Sequence, residues 1–147
     1  MYNVVVLWAP DSADNRRIVE TVGRALEQQR VALTVRSASE ATIADVTAAD
    51  IVVFGAQKIV SADAPTEYSE LLRVFKGISL AGRTAGFFSM GQDRATHRLR
   101  KALKDTEIAQ AEDDPLFADQ KTGAASLVTD WAQRLIASHQ EMHNAHA

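Results

Sequence analysis

Several groups of residues in this chain have the types and spacing for chemistry. The turn Pro10-Asp11-Ser12-Ala13-Asp14-Asn15 follows an apolar run and opens a helical pattern. Its hydroxyl, amide and backbone N–H groups could hold an anion at a helix N-terminus. The simpler reading is a helix that caps itself, with the carboxylate of Asp14 or Asp11 accepting the first-turn N–H groups. Arg94, Arg98, Arg100, Lys101 and Lys104 form a basic stretch that could meet an anionic ligand or an acidic partner, or simply be a solvated helix face, which is the reading preferred. His97 in the same stretch could act as an acid or base near neutral pH, or be an exposed polar residue and no more. The run Glu112-Asp113-Asp114 suggests a hard-cation site, but Ca²⁺ takes ~6–8 oxygen ligands and consecutive carboxylates rarely converge, so a solvated turn is expected. His139 and His143, four apart with His146 nearby, have a spacing that could bind a divalent metal. They fall in residues 139–147, which are expected to be a frayed tail. Cysteine is absent, which excludes disulfides, thiolate ligands and thiol nucleophiles. No Ser–His–Asp or paired-carboxylate arrangement can be assembled, so a stand-alone enzyme is not expected.

These residues need elements to position them. The chain has 147 residues, 46% hydrophobic and 24% charged, the balance of one ordinary globular domain with a single substantial core. A net charge of −3 offers no electrostatic case for nucleic acid. No apolar run approaches the ~20 residues of a membrane span, and Met1-Tyr2-Asn3 leads directly into Val4 without a basic leader, so a cytoplasmic location is the expectation. Residues 4–8 and 51–54 are apolar runs that read as strands buried on both faces, and residues 84–88 read as a further strand. Residues 31–35 alternate as a more exposed strand, and residues 107–111 give a weak fifth one. Helical spacing is predicted from Asn15 to about residue 28, after Thr66 with Leu71, Leu72 and Phe75 inward, and over residues 95–105 with Leu99, Ala102 and Leu103 inward. A closing helix is predicted over residues 122–138, with Leu127, Trp131, Leu135 and Ile136 as its inner stripe, and Trp8 and Trp131 as core residues. Strands alternating with helices imply right-handed crossovers and a parallel sheet covered on both sides. Ligands of such sheets sit outside the carboxyl ends of the strands, here the loops at residues 9–14, 56–65 and 89–96.

The order of elements and several strings resemble a short-chain flavodoxin over nearly the whole chain. Val5-Val6-Leu7-Trp8, a turn and Ile18-Val19-Glu20-Thr21-Val22 resemble that family's first strand, phosphate loop and first helix. Asp50-Ile51-Val52-Val53-Phe54-Gly55-Ala56 resembles its third strand. The segment from Leu80 through Phe87-Phe88-Ser89-Met90-Gly91 resembles its fourth strand and glycine turn, and Trp131 lies where the family often carries a tryptophan. The resemblance implies a three-layer, doubly wound α/β fold, a five-stranded parallel sheet in the order 2-1-3-4-5, and one domain over residues 1–147. It also implies flavin mononucleotide (FMN), one-electron transfer, and a redox or regulatory protein partner at the C-terminal edge of the sheet.

The family's phosphate loop, Ser/Thr-x-Thr-Gly-x-Thr, maps onto Pro10, Asp11, Ser12, Ala13, Asp14 and Asn15. Pro10 replaces a hydroxyl and removes an N–H, and Ala13 replaces the glycine of close approach. Ser12 keeps its hydroxyl and Asn15 is a polar stand-in, so these two are expected to contact phosphate. Asp11 and Asp14 add carboxylates; at ~4 Å, like charges at a protein surface repel by roughly 4 kcal/mol. Around the flavin ring the resemblance implies Gln57, Lys58 and Ile59 from the second loop, Ile59 standing about where a tryptophan would lie, and Met90, Gly91 and His97 from the third. The alternative is a flavin-free binding or regulatory module on the same scaffold. A phosphorelay receiver is excluded because the third strand ends Phe54-Gly55-Ala56-Gln57 without an Asp, and neither dinucleotide nor P-loop glycine motif follows the first strand.

Overall fold

The computed structural model describes residues 1–57, 64–92, 94–117 and 125–145. Strands β1 (Asn3–Ala9), β2 (Ala32–Ser37), β3 (Ile51–Gln57) and β4 (Thr84–Met90) alternate with helices α1 (Ala13–Glu27), α2 (Ile43–Thr47) and α3 (Ser69–Phe75). Helix α4 (His97–Leu103), two short strands β5 (Ala109–Gln110) and β6 (Leu116–Phe117), and α5 (Ala125–Ala145) follow. Every pairing is parallel, in the order β2-β1-β3-β4-β5, with β6 also on β4. The weak fifth strand predicted over 107–111 is β5, and the sequence reading did not anticipate the second short strand, β6. β5 pairs with the start of β4 at Thr84 and Ala85, and β6 with its end at Ser89 and Met90. Residues 112–114 leave the sheet between them, while the Ala111 N–H donates to the Ala85 carbonyl at 2.9 Å and the Pro115 carbonyl accepts the Ser89 N–H at 3.0 Å.

The apolar runs in β1, β3 and β4 are continuous because both faces are covered. Val5, Leu7, Val52, Phe54, Ala85 and Phe87 face α2, α3 and α4, against Val46, Leu71, Phe75, Leu99 and Leu103. Val4, Val6, Trp8, Ile51, Val53, Phe88 and Met90 face α1 and α5, against Ile18, Val22, Leu26, Val128, Trp131 and Leu135. Gly55 is where the two layers crowd the sheet. A Cβ there would stand 2.1 Å from Cζ of the buried Phe88 ring, while the Tyr68 hydroxyl, in a 3₁₀ turn (Thr66–Tyr68) before α3, donates to the Gly55 carbonyl at 2.8 Å. Burial pushes the Tyr68 pKa well up, so that hydroxyl stays a donor.

Several expectations need correction. The connection after β2 holds a short helix, α2, closed by a capping box in which Thr42 and Asp45 bond each other's backbone N–H. α1 begins at Ala13, before the Asn15 expected from the apolar spacing. On α5 the inner stripe carries Val128, not Leu127, which is 66% exposed. The helix also runs to Ala145, so residues 139–145 are not frayed. His139 holds that end down: it is buried, its Nδ1 lies 2.8 Å from the Thr84 hydroxyl, and Tyr2 packs against its ring at 4.7 Å, nearly perpendicular. Among the described residues no group of three His, Cys, Asp or Glu could hold a metal, and no helix is long and apolar enough to cross a membrane.

Two predictions follow from this packing. Gly55→Ala forces the Phe88 ring to move and destabilises the fold by about 1–3 kcal/mol, measured by urea unfolding with the slope unchanged. Burial lowers the His139 pKa from the ordinary 6.5, with the His143 ring also lowering it and Asp50 opposing. The unfolded chain then takes up the proton first, so stability falls as pH drops below about 6.5. In His139→Gln that slope flattens in the near-neutral range; an equal slope in both proteins would show that His139 is not its source.

Candidate functional site

The C-terminal ends of β1, β3 and β4 lie side by side and bring the β1–α1 turn, Gln57 and the Gly91 turn to one edge. Helix α1 is capped by Ser12, not by Asp11 or Asp14. The Ser12 hydroxyl accepts the Asn15 N–H at 3.1 Å, and the Ser12 carbonyl takes the Arg16 N–H at 2.9 Å. Ser12 wins because its extended backbone, φ −136° and ψ 159°, places a short hydroxyl under the first turn. Asp11 points outward into a two-point ion pair with Arg16, at 2.7 and 3.1 Å, whose hydrogen bond holds its carboxyl below the ordinary value. The repulsion expected from Asp11 is thus offset by a guanidinium one turn away.

Asn15 forms the centre of this edge. It is buried at 3% exposure, and its Nδ2 donates to the Pro10 carbonyl at 2.9 Å and to Gln57 Oε1 at 3.1 Å. Pro10, Ser12, Asn15 and Gln57 thereby form one connected set spanning the first loop and the end of β3. Gln57 in turn lies against the third loop. Gly91 has φ +75°, and a Cβ on it would stand 3.2 Å from Gln57 Nε2. A side chain at 91 would therefore be strained and would press on Gln57.

Of the other expected residues, Ala13 and Asp14 are exposed in the first turn, and Gly91 is exposed at its loop. Met90 is fully buried in the α1/α5 layer, below the surface of the edge. His97 is exposed and opens α4, its N–H bonded to the Arg94 carbonyl at 3.1 Å. Lys58 and Ile59 lie outside the described residues.

The acidic run contributes what its composition did not suggest. Asp114 is not a solvated turn residue: it accepts the buried Ser89 hydroxyl at 2.9 Å and the hydroxyl of buried Thr96. Its other neighbour is Arg100, whose Nε is 4.0 Å away. Asp113 pairs with Arg134 of α5 at 2.7 Å. Nor is Arg100 part of a solvated basic face. Its guanidinium lies 4.0 Å above the Phe87 ring and donates to the Ala111 carbonyl at 2.9 Å, while burial lowers its pKa against the opposing Asp114 charge. The excursion between β5 and β6 thus pins both ends of the third loop through one carboxylate. An acid followed by proline, Asp114-Pro115, is the only local sign of a fixed turn there.

No protein-family model and no curated protein matches the sequence. Solved structures do match the fold. A short-chain flavodoxin associated with a PDU bacterial microcompartment superposes with a TM-score of 0.84 at 18% identity, over 95% of this chain and 99% of that one. Oxidised Flavodoxin 1 from Bacillus cereus gives 0.81 at 12% identity, over 92% and 97%. The Fusobacterium nucleatum flavodoxin bound to flavin mononucleotide gives 0.76 at 11% identity, over 94% and 99%. The chain has the flavodoxin-like α/β fold, with the expected strand order and helices on both faces of the sheet.

The role of Asp114 can be tested directly. Asp114→Ala leaves two buried hydroxyls without their acceptor and removes a carboxylate from beside the half-buried Arg100 guanidinium, so it destabilises the protein by about 1.5–3 kcal/mol. Hydrogen exchange should quicken in residues 89–97 more than in β1 or β3. Uniform quickening across the sheet would assign Asp114 to global stability and not to the loop.

Proposed function

We propose that this domain is a flavin-free binding or regulatory module on a flavodoxin scaffold, recognising a protein or small-molecule partner at the edge formed by residues 10–15, Gln57 and Gly91. The carrying observation is Asn15, whose side chain joins the Pro10 carbonyl to Gln57 inside the turn that corresponds to the phosphate loop. The residues present do not fit the phosphate of FMN as they stand. The Asn15 amide is taken up by the Pro10 carbonyl and Gln57, Pro10 presents a carbonyl and no N–H, and Asp14 adds a carboxylate to the first turn. An anion entering there would exchange satisfied hydrogen bonds for contact with acceptors and a like charge, and a buried amide stripped of its partners costs about 1–3 kcal/mol. The edge offers instead a mixed surface of Asp11, Arg16, Gln57, Gln92 and His97, suited to polar protein contacts.

A second reading, an FMN-binding electron carrier with an atypical loop, is favoured by one feature. Ser12 takes the N–H of Asn15, which leaves the Ala13 and Asp14 N–H groups at the mouth of α1, where an anion would be held. On that reading Asn15 lets go of Gln57 and turns to the phosphate.

Absorbance of the purified protein, then titration of FMN with flavin fluorescence as the readout, separates the two. The module reading expects colourless protein and no quenching at micromolar FMN. It also expects that Pro10→Ser combined with Ala13→Gly and Asn15→Thr gains quenching. Yellow wild-type protein, or tight stoichiometric quenching, overturns the flavin-free reading.

A further inference from the structure

The far edge of the sheet is open. β2 pairs with β1 alone, and the bonds from Ala32 N to Tyr2 O and Ala38 N to Trp8 O turn its even-numbered residues toward β1. By strand alternation, the N–H and C=O groups of Leu33 and Val35 face outward. Edge strands are commonly blunted by proline, lysine or a bulge. β2, Ala-Leu-Thr-Val-Arg-Ser, carries one charge, Arg36, which Asp45 of α2 holds at 3.3 Å. On the α1 side a groove of about 320 Å³ is floored by Val19, Gly23, Leu33 and Val35. Val35 is 43% exposed.

We propose that this edge joins two copies of the chain, through antiparallel β2–β2 pairing across a two-fold axis level with Thr34. In that register Leu33 stands opposite the partner's Val35, so the outward N–H and C=O groups of both strands meet in hydrogen-bonded pairs. The two apolar floors then merge, each Leu33 packing across the strands on a Val35.

The charges on α1 select the same axis. Arg17, Glu20, Arg24 and Glu27 are exposed and spaced three or four apart, so they form one stripe of alternating sign. Gly23 lies over the middle of β2, where a Cβ would be 3.5 Å from Leu33 and 4.0 Å from Val35. An axis at Thr34 therefore passes α1 at Gly23, one residue from Val22. Antiparallel pairing about Val22 sets Arg17 against the partner's Glu27 and Glu20 against the partner's Arg24. Strand register and helix charges are independent features of the chain, and both are self-complementary about one level, as an isologous interface requires.

Sedimentation equilibrium of the full chain over a range of micromolar concentrations tests this. The wild type should show reversible dimer formation. Val35→Lys, at an exposed position, should weaken association about tenfold or more, and Glu20→Arg or Arg24→Glu about tenfold each by placing like charges opposite. The double variant Glu20→Arg with Arg24→Glu restores opposite signs across the axis and should recover most of the loss. A wild type that stays monomeric throughout overturns the proposal and leaves the edge to a strand of another protein. A dimer indifferent to Val35→Lys and to both charge reversals overturns it as well.

Discussion

Burial of β1, β3 and β4 on both faces is the constraint on which the rest depends. A strand with no solvent face cannot present chemistry along its length, because every side chain is committed to one of two packed layers. Only its end is free. The parallel topology then sends all the free carboxyl ends to one side, so the β1–α1 turn, Gln57 and the Gly91 turn meet without any one of them specifying the meeting.

What happens at that edge is decided by a single buried amide. Asn15 sits at the third position of α1, where a hydroxyl would serve capping and ligand alike. A carboxamide carries two donors that must be satisfied once buried, and nearby oxygens on Pro10 and Gln57 satisfy both. That satisfaction links the β1–α1 turn to the end of β3. The same logic governs the third loop, where Asp114 collects two hydroxyls and faces a guanidinium. Both networks are long-range in sequence and short in space.

This difference explains what could be read from the sequence. Continuous apolar runs and 3.6-residue spacing report burial, which is local to an element, and they were enough for β1 to β5 and for α1, α3, α4 and α5, but not for α2 or β6. The Leu127 stripe failed because Leu127 and Val128 are adjacent apolar residues, and only the packed partner helix distinguishes which of them faces inward. Asp11 and Asp14 looked like caps because capping preference ranks residue types, whereas the structure selects the residue whose backbone is extended at the right step, Ser12. Asp114 read as solvent-exposed since a run of acids carries no sign of the hydroxyls at 89 and 96 that it accepts. His139 read as tail for a similar reason: its partner, Thr84, lies 55 residues earlier.

The floor beneath the edge is a packed layer of buried side chains. Met90 and Ser89 are fully buried, Phe88 packs edge-on against both Phe117 and Trp131, and β6 caps the end of β4 through the bond from Gly91 N to Phe117 O at 2.8 Å. Stability and ligand choice are therefore separable in this fold, and the loops can change their chemistry while the sheet below keeps its packing. Pro10, Ala13 and Asn15 lie at the β1–α1 turn and the first turn of α1, outside the two apolar clusters between the sheet and its helices.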